Sequence, residues 1–520
     1  MSHRPDVVVV GSGFAGALAA RVLARLGRRV WLVERGRHPR FALGESSTPL
    51  AALALTRLAE RYDLPDLAPL AAYGKWLRAW PHLRRGLKRG FTFFGTQPDE
   101  RLLVAASPND ELSDTHWLRA DLDAFFVDRA EAEGVSFFDR TTIGLIERVG
   151  SRIRLRGQRE GQPWQAETGF VVDASGPAAV VAKALGAAAL ASPSRVASGL
   201  VFGHFEEVVE TGEVARQQGL AVPPGPYPDD RAAVHHLLDV GWAYQLPFDH
   251  GVVSAGVVLD HARPATRPRF AQAAQDPAGA WAALLARHPS LAARFGEARA
   301  VVGPAFVPRL QHRLSAAAGP GWLALPSTFA FTDPLFSTGI AWSLAGVERL
   351  GRLFEAEEVP EKAGLERYGG LLADEADHID RLVAGAYATF EDFQLFVPFA
   401  LLYFAAASFG EASRRLLPEA KDWVWEGFLG CQDEVVRGAL GEVLARLSGH
   451  TGQGHCATDQ EAAHFESWMR EAIAPRNLAG LADPARGNLY PVDLEALVAN
   501  AGLLGLTAEE VRAALPRLLR

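Results

Sequence analysis

Three short stretches carry residue types suited to chemistry. Ser337, Thr338 and Gly339 stand immediately before the helical spacing Ile340, Leu344, Val347, Leu350. A helix that starts there aims unpaired backbone N–H groups and the positive end of its dipole at whatever lies in front, which makes an anion site. The same residues also read as ordinary helix capping. Lys88 opens the run Lys88-Arg89-Gly90-Phe91-Thr92-Phe93-Phe94, whose alternation predicts a strand. A lysine at a strand start is usually a solvated edge residue. A desolvated lysine, in contrast, has a lowered pKa and acts as a nucleophile. The third stretch is Gly11-Ser12-Gly13-Phe14-Ala15-Gly16.

The elements around the third stretch give it meaning. Residues 6–10 (DVVVV) form a continuous β-branched run, as a central parallel strand requires. An alanine-rich helix follows the glycines to about Leu26, and a second strand at residues 30–33 ends on Glu34. Strand, glycine turn, helix, strand and carboxylate together predict a dinucleotide site. The glycines allow close approach to a pyrophosphate, and Glu34 falls where it can hold ribose hydroxyls. Only one such unit is visible, which favours FAD over FAD plus a separate nicotinamide domain. Residues 170–176 (FVVDASG) repeat the strand-plus-turn pattern, with Asp173 at the strand end and Gly176 opening the next helix. Residues 195–259 change character into short alternating runs split by turn signals, which predicts an antiparallel sheet. Residues 322–325 return to the first sheet, and from Ala345 onward helical signals dominate.

Composition bounds the rest. The 520 residues exceed one simple core and predict two or three sub-domains. Apolar residues make up 48% and charged residues 22%, as in a soluble globular protein. The net charge of −8, without a basic block, argues against a nucleic-acid partner. Cys431 and Cys456 supply neither a disulfide framework nor metal-ligand spacing, so a reducing cytoplasm is expected. With a strand starting at Asp6, no signal peptide is expected. The longest apolar run, residues 395–409, is broken by Pro398 and Ser408 and falls short of the roughly 20 residues of a membrane span. His235-His236, Trp423, Trp425 and His455 offer no ligand pattern and read as structural, and no metal is expected. The aromatic run from Phe390 to Phe409 suits either an apolar substrate chamber or a core helix.

Taken together these motifs resemble the FAD-dependent halogenases, on the scaffold of para-hydroxybenzoate hydroxylase. The resemblance rests on GSGFAG with Glu34, GESSTP at residues 44–49, Lys88 in KRGFTFF, Arg119 in RADLD and VVDASG at residues 171–176. GWAYQLP at residues 241–247 and FTDPLFSTG at residues 331–339 complete it, and the last resembles a halogenase mark more than a hydroxylase one. It covers roughly residues 5–350. The resemblance implies a doubly wound FAD domain with an interleaved antiparallel substrate sheet; with the helical signals after Ala345, the expectation is an α/β fold with a helical C-terminal region. It places the FAD domain at residues 1–190, with a substrate-side insertion at about 40–110, and its return segment at 311–350. The substrate sheet falls at 191–310 and the helical part at 351–520. It implies cofactor contacts from Gly11, Gly13, Phe14, Ala15, Gly16, Glu34, Arg35, Ser46, Arg119, Asp173, Gly176, Pro334, Gly339 and Ile340. A halide is expected at Ser337, Thr338 and Gly339, a catalytic role at Lys88, and a substrate pocket at Trp242, Tyr244, Pro247 and Phe336.

The chemistry so implied uses FADH2 from a separate flavin reductase, together with oxygen and chloride or bromide. Hypohalous acid passes to the lysine, which halogenates an electron-rich aromatic, free or on a carrier protein. Three departures narrow the expectation. Tyr244 and Leu246 replace a tryptophan and an isoleucine of the family's substrate segment. Phe336 stands where tryptophan-specific members carry glutamate, which favours phenols or pyrroles. Leu325-Pro326-Ser327 stands where most members carry Gly-Asp against the flavin, so looser FAD binding is expected. A flavin monooxygenase, a prenyl-type reductase on the same scaffold and a non-catalytic FAD- or carrier-binding protein are the alternatives.

Overall fold

The computed structural model describes residues 4–97, 100–219, 222–448 and 457–518. Its first layer is a six-stranded sheet in the order Ala318–Gly319, Trp322–Ala324, Phe170–Asp173, Val7–Val10, Val30–Val33, Ser136–Phe138. Four consecutive valines make the central strand because it is buried on both faces. Val7 is paired in parallel with Phe170 on one side and Val30 on the other. The helices Phe14–Arg25, Pro49–Arg61 and Thr338–Ala356 pack together beside this sheet. Residues 322–324 do return to it, pairing in parallel with Val171–Asp173.

The second layer is larger than the alternation at residues 195–259 suggests. It is an eight-stranded sheet: Arg299–Val307, Ser198–Glu206, Val253–Asp260, Gly241–Pro247, Ala233–Leu238, Gly90–Phe94, Arg101–Ala105 and Leu489–Tyr490. Two strands therefore come from the early insertion and one from near the C-terminus. Ala233–Leu238 and Gly90–Phe94 pair in parallel inside an otherwise mainly antiparallel sheet. Helices between residues 267 and 295 cover its far face, where Val201, Val257, Trp281 and Phe295 form a separate core. A three-stranded meander, Thr141–Val149, Arg152–Arg159 and Gln162–Thr168, is a further element that the sequence patterns did not single out.

The run at residues 88–94 is two strands rather than one. Lys88 ends Arg85–Lys88, which pairs antiparallel with Asp114–Trp117, and Gly90 begins the strand that joins the large sheet. The chain changes partner at Arg89, whose N–H donates to Arg231 O at 2.7 Å. Lys88 is thus an inner residue, 0% exposed, and the solvated-edge reading is corrected.

Helices dominate after residue 338, chiefly Lys362–Thr389, Phe393–Leu416, Glu434–Leu447 and Asp459–Ile473. The aromatic stretch extends further than its apolar run, through Glu411, Arg414 and Arg415 to Leu416. By length and composition alone that 24-residue helix could cross a membrane, but 72% of its most apolar window is buried inside the protein. Asp392 caps it, accepting from the N–H groups of Gln394 and Leu395. A buried ion pair locks two of these helices together. Arg349 donates twice to Glu375, at 2.7 and 2.6 Å, and Trp342 Nε1 and the Phe428 N–H donate to the same carboxylate. Removing one partner of such a pair costs roughly 3–5 kcal/mol, so this contact fixes where the helix starting at Thr338 stands.

Candidate active site

The glycine turn has the geometry of a nucleotide cradle. Gly11 has φ +104, and a Cβ there would lie 2.2 Å from Ala174 O; one on Gly16 would lie 2.0 Å from Gly11 O. Larger residues would push the first and third turns apart. Glu34 is buried, and its carboxylate accepts from Ser12 N–H and Ser12 Oγ, both at 3.1 Å, and from Gly36 N–H at 2.8 Å. Arg40 adds a charged contact at 3.2 Å; burial pushes the carboxyl up, but Arg40 and these hydrogen bonds outweigh it and leave it below its ordinary range. Glu34 therefore braces the turn as well as bordering the cradle. Arg35, next to it, is exposed.

Several residues expected to touch a cofactor are spent within the protein, which refines their part. Phe14 N–H donates to Asp123 Oδ1 at 3.1 Å. Arg119 lies across the Phe14 ring, donates twice to Asp123 at 2.8 Å, and reaches the carbonyls of Leu43 and Gly44. Arg119 and Asp123 thus tie residues 43–44 to the glycine turn. Asp173 is fully buried, and its two oxygens accept from Ser175, Val181 and Ala182, so it caps the next helix instead of facing a ligand. The Gly176 N–H is held by Thr328 Oγ1 at 3.0 Å. Thr328 belongs to the short helix Pro326–Phe329, which occupies the position of the divergent Pro326-Ser327 pair. Ser46 Oγ behaves differently. Among the described residues it is buried without a hydrogen-bond partner, as a group meant for a bound molecule would be.

The helix start leaves its first backbone N–H groups facing open space. Ser337 adopts a left-handed conformation, φ +52, that turns the chain from Phe336 into the helix Thr338–Ala356. Ser337 and Thr338 are buried, while space is open over Gly339: a Cβ added there would meet nothing within 4 Å. Ile340 buries its side chain, leaving only its backbone N–H for a ligand. A cavity before the helix is lined by Phe331, Asp333, Thr338, Gly339, Trp342 and Ile379, with Pro334 in the loop beside it. Asp333 sits in that lining, and Tyr387 OH donates to its Oδ2 at 2.7 Å. Burial outweighs this bond and pushes Asp333 up to about 7.

Lys88 stands in a second, aromatic-walled region of the interior. Its Nζ donates to the Ser47 carbonyl at 2.6 Å and stands 4.0 Å from the centroid of the Phe91 ring. Gly86, two residues earlier, lets the strand press onto the substrate sheet, since a Cβ there would lie 2.0 Å from Pro247 O. The walls are aromatic. Phe93 stacks on His235 at 4.4 Å, His235 lies 5.5 Å from Trp242, and Trp242 6.2 Å from Tyr244. Tyr403, from the aromatic helix, stacks on Phe336 at 4.4 Å and lies 6.3 Å from Phe91. Tyr403 OH donates to Phe336 O at 2.8 Å. The long aromatic helix is therefore both core and chamber wall, joining the Lys88 side to the residue before Ser337. Trp242 is fully buried, and among the described residues its Nε1 has no partner. Burial pushes Lys88 down and Asp114 up, each pulling the other toward its charged form. His235 is a wall residue, pushed down to about 3 by burial; His455 lies outside the described residues.

Asp114 and Tyr387 escaped the sequence analysis as site residues. Asp123 lies inside RADLD, Asp333 inside FTDPLFSTG, and Tyr403 inside the aromatic run read as a possible chamber wall.

The residues present fit FAD: a glycine cradle that a Cβ would fill, an orphan Ser46 hydroxyl and a helix start open over Gly339. Comparison with known proteins agrees. The FAD dependent oxidoreductase family matches residues 6–125, and the tryptophan halogenase family matches residues 115–392. Tetracycline 7-halogenase of Kitasatospora aureofaciens is 25% identical over 98% of this chain and 96% of its own. Monodechloroaminopyrrolnitrin halogenase PrnC of Pseudomonas fluorescens is 26% identical over 79% of this chain and 72% of its own. The crystal structure of halogenase PltM shares the fold, with a TM-score of 0.81 over 93% of this chain and 99% of that one at 21% identity. A family match that spans more than half the chain, on an architecture with these two sites, makes this protein a member of the tryptophan halogenase family, an FAD-dependent halogenase.

Proposed function

We propose that the protein takes FADH2 from a separate flavin reductase, oxidises chloride or bromide before the helix start at Ser337, Thr338 and Gly339, and halogenates a phenol or pyrrole-like aromatic through Lys88. The substrate is a small molecule, free or carried by a partner protein. The observation that carries this reading is the placement of Lys88: wholly buried, against Phe91, in an aromatic chamber that continues through Tyr403 to Phe336. Two relatives, named for tetracycline and monodechloroaminopyrrolnitrin, support aromatic substrates. Phe336, which offers no carboxylate where a tryptophan amine would be met, supports the phenol or pyrrole class.

Reduced FAD, when bound, supplies the oxygen activation that turns halide into hypohalous acid. The chain's residues do the rest. Gly11, Gly13, Ala15 and Gly16 give the pyrophosphate close approach, Glu34 borders the ribose, and Ser46 and the backbone of Gly339 and Ile340 border the flavin. The N–H groups of Thr338 and Gly339 attract the halide. The aromatic walls exclude water, and the Lys88 ammonium donates a hydrogen bond to hypohalous acid or, as the free amine, takes its halogen. Trp242, Tyr244, Pro247 and Phe336 set the shape offered to the substrate ring.

Purified protein should consume no NADPH with FAD alone, and should brominate members of a phenol and pyrrole panel once a flavin reductase is added. Mass spectrometry of the bromine isotope pattern reads the product. Rapid NADPH oxidation without a reductase, and hydroxylated instead of brominated products, would replace this reading with a monooxygenase.

A further inference from the structure

We propose that Asp114 is the proton partner of Lys88, a positioning residue that takes the proton the Lys88 ammonium must release before its nitrogen can accept halogen. The inference rests on the reading of Lys88 given above. It starts from the two-stranded ladder of Arg85–Lys88 and Asp114–Trp117, in which Lys88 and Asp114 are direct partners. Directly opposed residues of an antiparallel pair project to the same face, with Cβ atoms about 4.5–5.5 Å apart. Lys88 is 0% exposed and Asp114 5% exposed. Among the described residues, Asp114 Oδ2 is buried and has no hydrogen-bond partner. A carboxylate oxygen left this way is free to receive a proton.

Among the described residues, no other neighbour is suited to the task. On the strand of Asp114, His116 shares its Nε2 with Ala232 O at 3.2 Å, while its Nδ1 is buried without a partner among the described residues; on the adjoining sheet, His235 shares Nδ1 with Thr92 O at 3.3 Å. Both imidazoles are pushed down to about 3 by burial and stay neutral near pH 7. On the aromatic helix, Tyr403 OH is bonded to Phe336 O, and Glu411 and Arg415 satisfy each other at 2.7 Å. The Phe91 face and the Ser47 carbonyl complete the surroundings of the amine, and neither accepts a proton at neutral pH.

The step balances. An N–H bond of the ammonium breaks and an O–H bond forms on Asp114. The amine lone pair attacks the halogen of hypohalous acid; the N–halogen bond forms, the O–halogen bond breaks, and the departing oxygen leaves as water with one nitrogen proton. The substrate ring then attacks the halogen, and the N–halogen electron pair stays on nitrogen. Nitrogen recovers the Asp114 proton and the ring proton, which restores the ammonium and the carboxylate. The pair therefore needs one proton fewer than its fully protonated form and one more than its fully deprotonated form.

The test is the pH profile of bromination by the FAD-loaded enzyme with flavin reductase and bromide. The wild type should give a bell, with the pair losing a proton on each limb. Asp114→Asn should lower the optimum rate by about a hundredfold and reduce the bell to a single acid limb, and Asp114→Glu should restore the bell. A bell that survives in Asp114→Asn overturns the proposal. A second measurement serves if that variant does not fold. In infrared spectra of the wild type, a buried protonated-carboxyl band should titrate; in Lys88→Met it should persist to higher pH. A band unaffected by Lys88→Met also overturns the proposal. Full bromination by Lys88→Met would instead remove Lys88 itself, and so separates failure of the underlying reading from failure of this one.

Discussion

The two chambers handle charge in opposite ways. The helix start before Gly339, the proposed halide site, offers an anion backbone alone: open space over Gly339, a left-handed Ser337, and the dipole of a 19-residue helix. The Lys88 chamber uses side chains: an ammonium and a carboxylate, both desolvated, inside aromatic walls. Backbone N–H groups cannot change protonation, so the first site can bind and polarise but cannot carry a proton or form a bond to halogen. The buried pair can do both. In the proposed function the oxidant is made at the helix start and delivered at Lys88, with Tyr403 and Phe336 packed between them.

The largest test breaks the delivery end. Lys88→Ala should abolish brominated product while oxygen consumption by reduced flavin continues, with peroxide or free hypohalous acid released. Lys88→Arg should not rescue, because guanidinium stays protonated and is a poor nucleophile. Mass spectrometry of product beside an oxygen electrode separates the two readouts. Should Lys88→Ala brominate fully, Lys75 is the next lysine to examine.

Next is the binding end. Gly339→Val fills the open space before the helix, and oxidised halide and product should fall together, by roughly tenfold or more if a hydrogen-bonded anion is lost. Loss of product alone, with hypohalous acid still released, would place the halide elsewhere.

The third variant bears on the cofactor that both ends share. Glu34→Ala should weaken FAD by about 1–3 kcal/mol, the range of a lost charge-assisted hydrogen bond. Since Glu34 also holds the Ser12 turn, Glu34→Gln should retain part of the affinity. FAD fluorescence titration reads this, and equal affinity in wild type and Glu34→Ala would remove Glu34 from the site.

The smallest expected effect sharpens the contrast, because one titrating group does border the backbone site. Asp333 is pushed from 3.8 up to about 7 by burial, so its neutral form is favoured in the fold. Its contribution to stability is full below the ordinary carboxylate value and is lost as the pH rises toward about 7. Above that pH its charge should also repel bromide at the helix start. Bromide affinity, read by flavin fluorescence, should therefore fall a few-fold between pH 6 and 8, and Asp333→Asn should flatten both this slope and that of denaturation midpoints. A slope unchanged in Asp333→Asn would assign the dependence to another group.

The sequence by itself determined the elements whose causes are local. Four valines, a glycine turn and a carboxylate at the second strand end specify the cradle, because φ freedom and β-branching act within a few residues. The helix after Ser337 was likewise legible from its apolar spacing, and so was the return strand Trp322–Ala324. Tertiary structure alone decided which of these groups are dry. Lys88 looked like a surface lysine by type, and it is buried because Phe91 and Asp114 meet residues from the far aromatic helix around it. Arg119 and Asp173 carried the right motifs, but their hydrogen-bonding capacity goes to Asp123, to Leu43 and Gly44, and to the next helix. Asp333 and Tyr387 are 54 residues apart and share one hydrogen bond. The large sheet gathers strands from residues 90–105, 198–307 and 489–490 because its pairing partners are chosen by packing, not by adjacency in the chain. Local conformation is written in short windows of sequence; desolvation, which sets the charge state of Lys88, Asp114 and Asp333, depends on what the whole fold places against them.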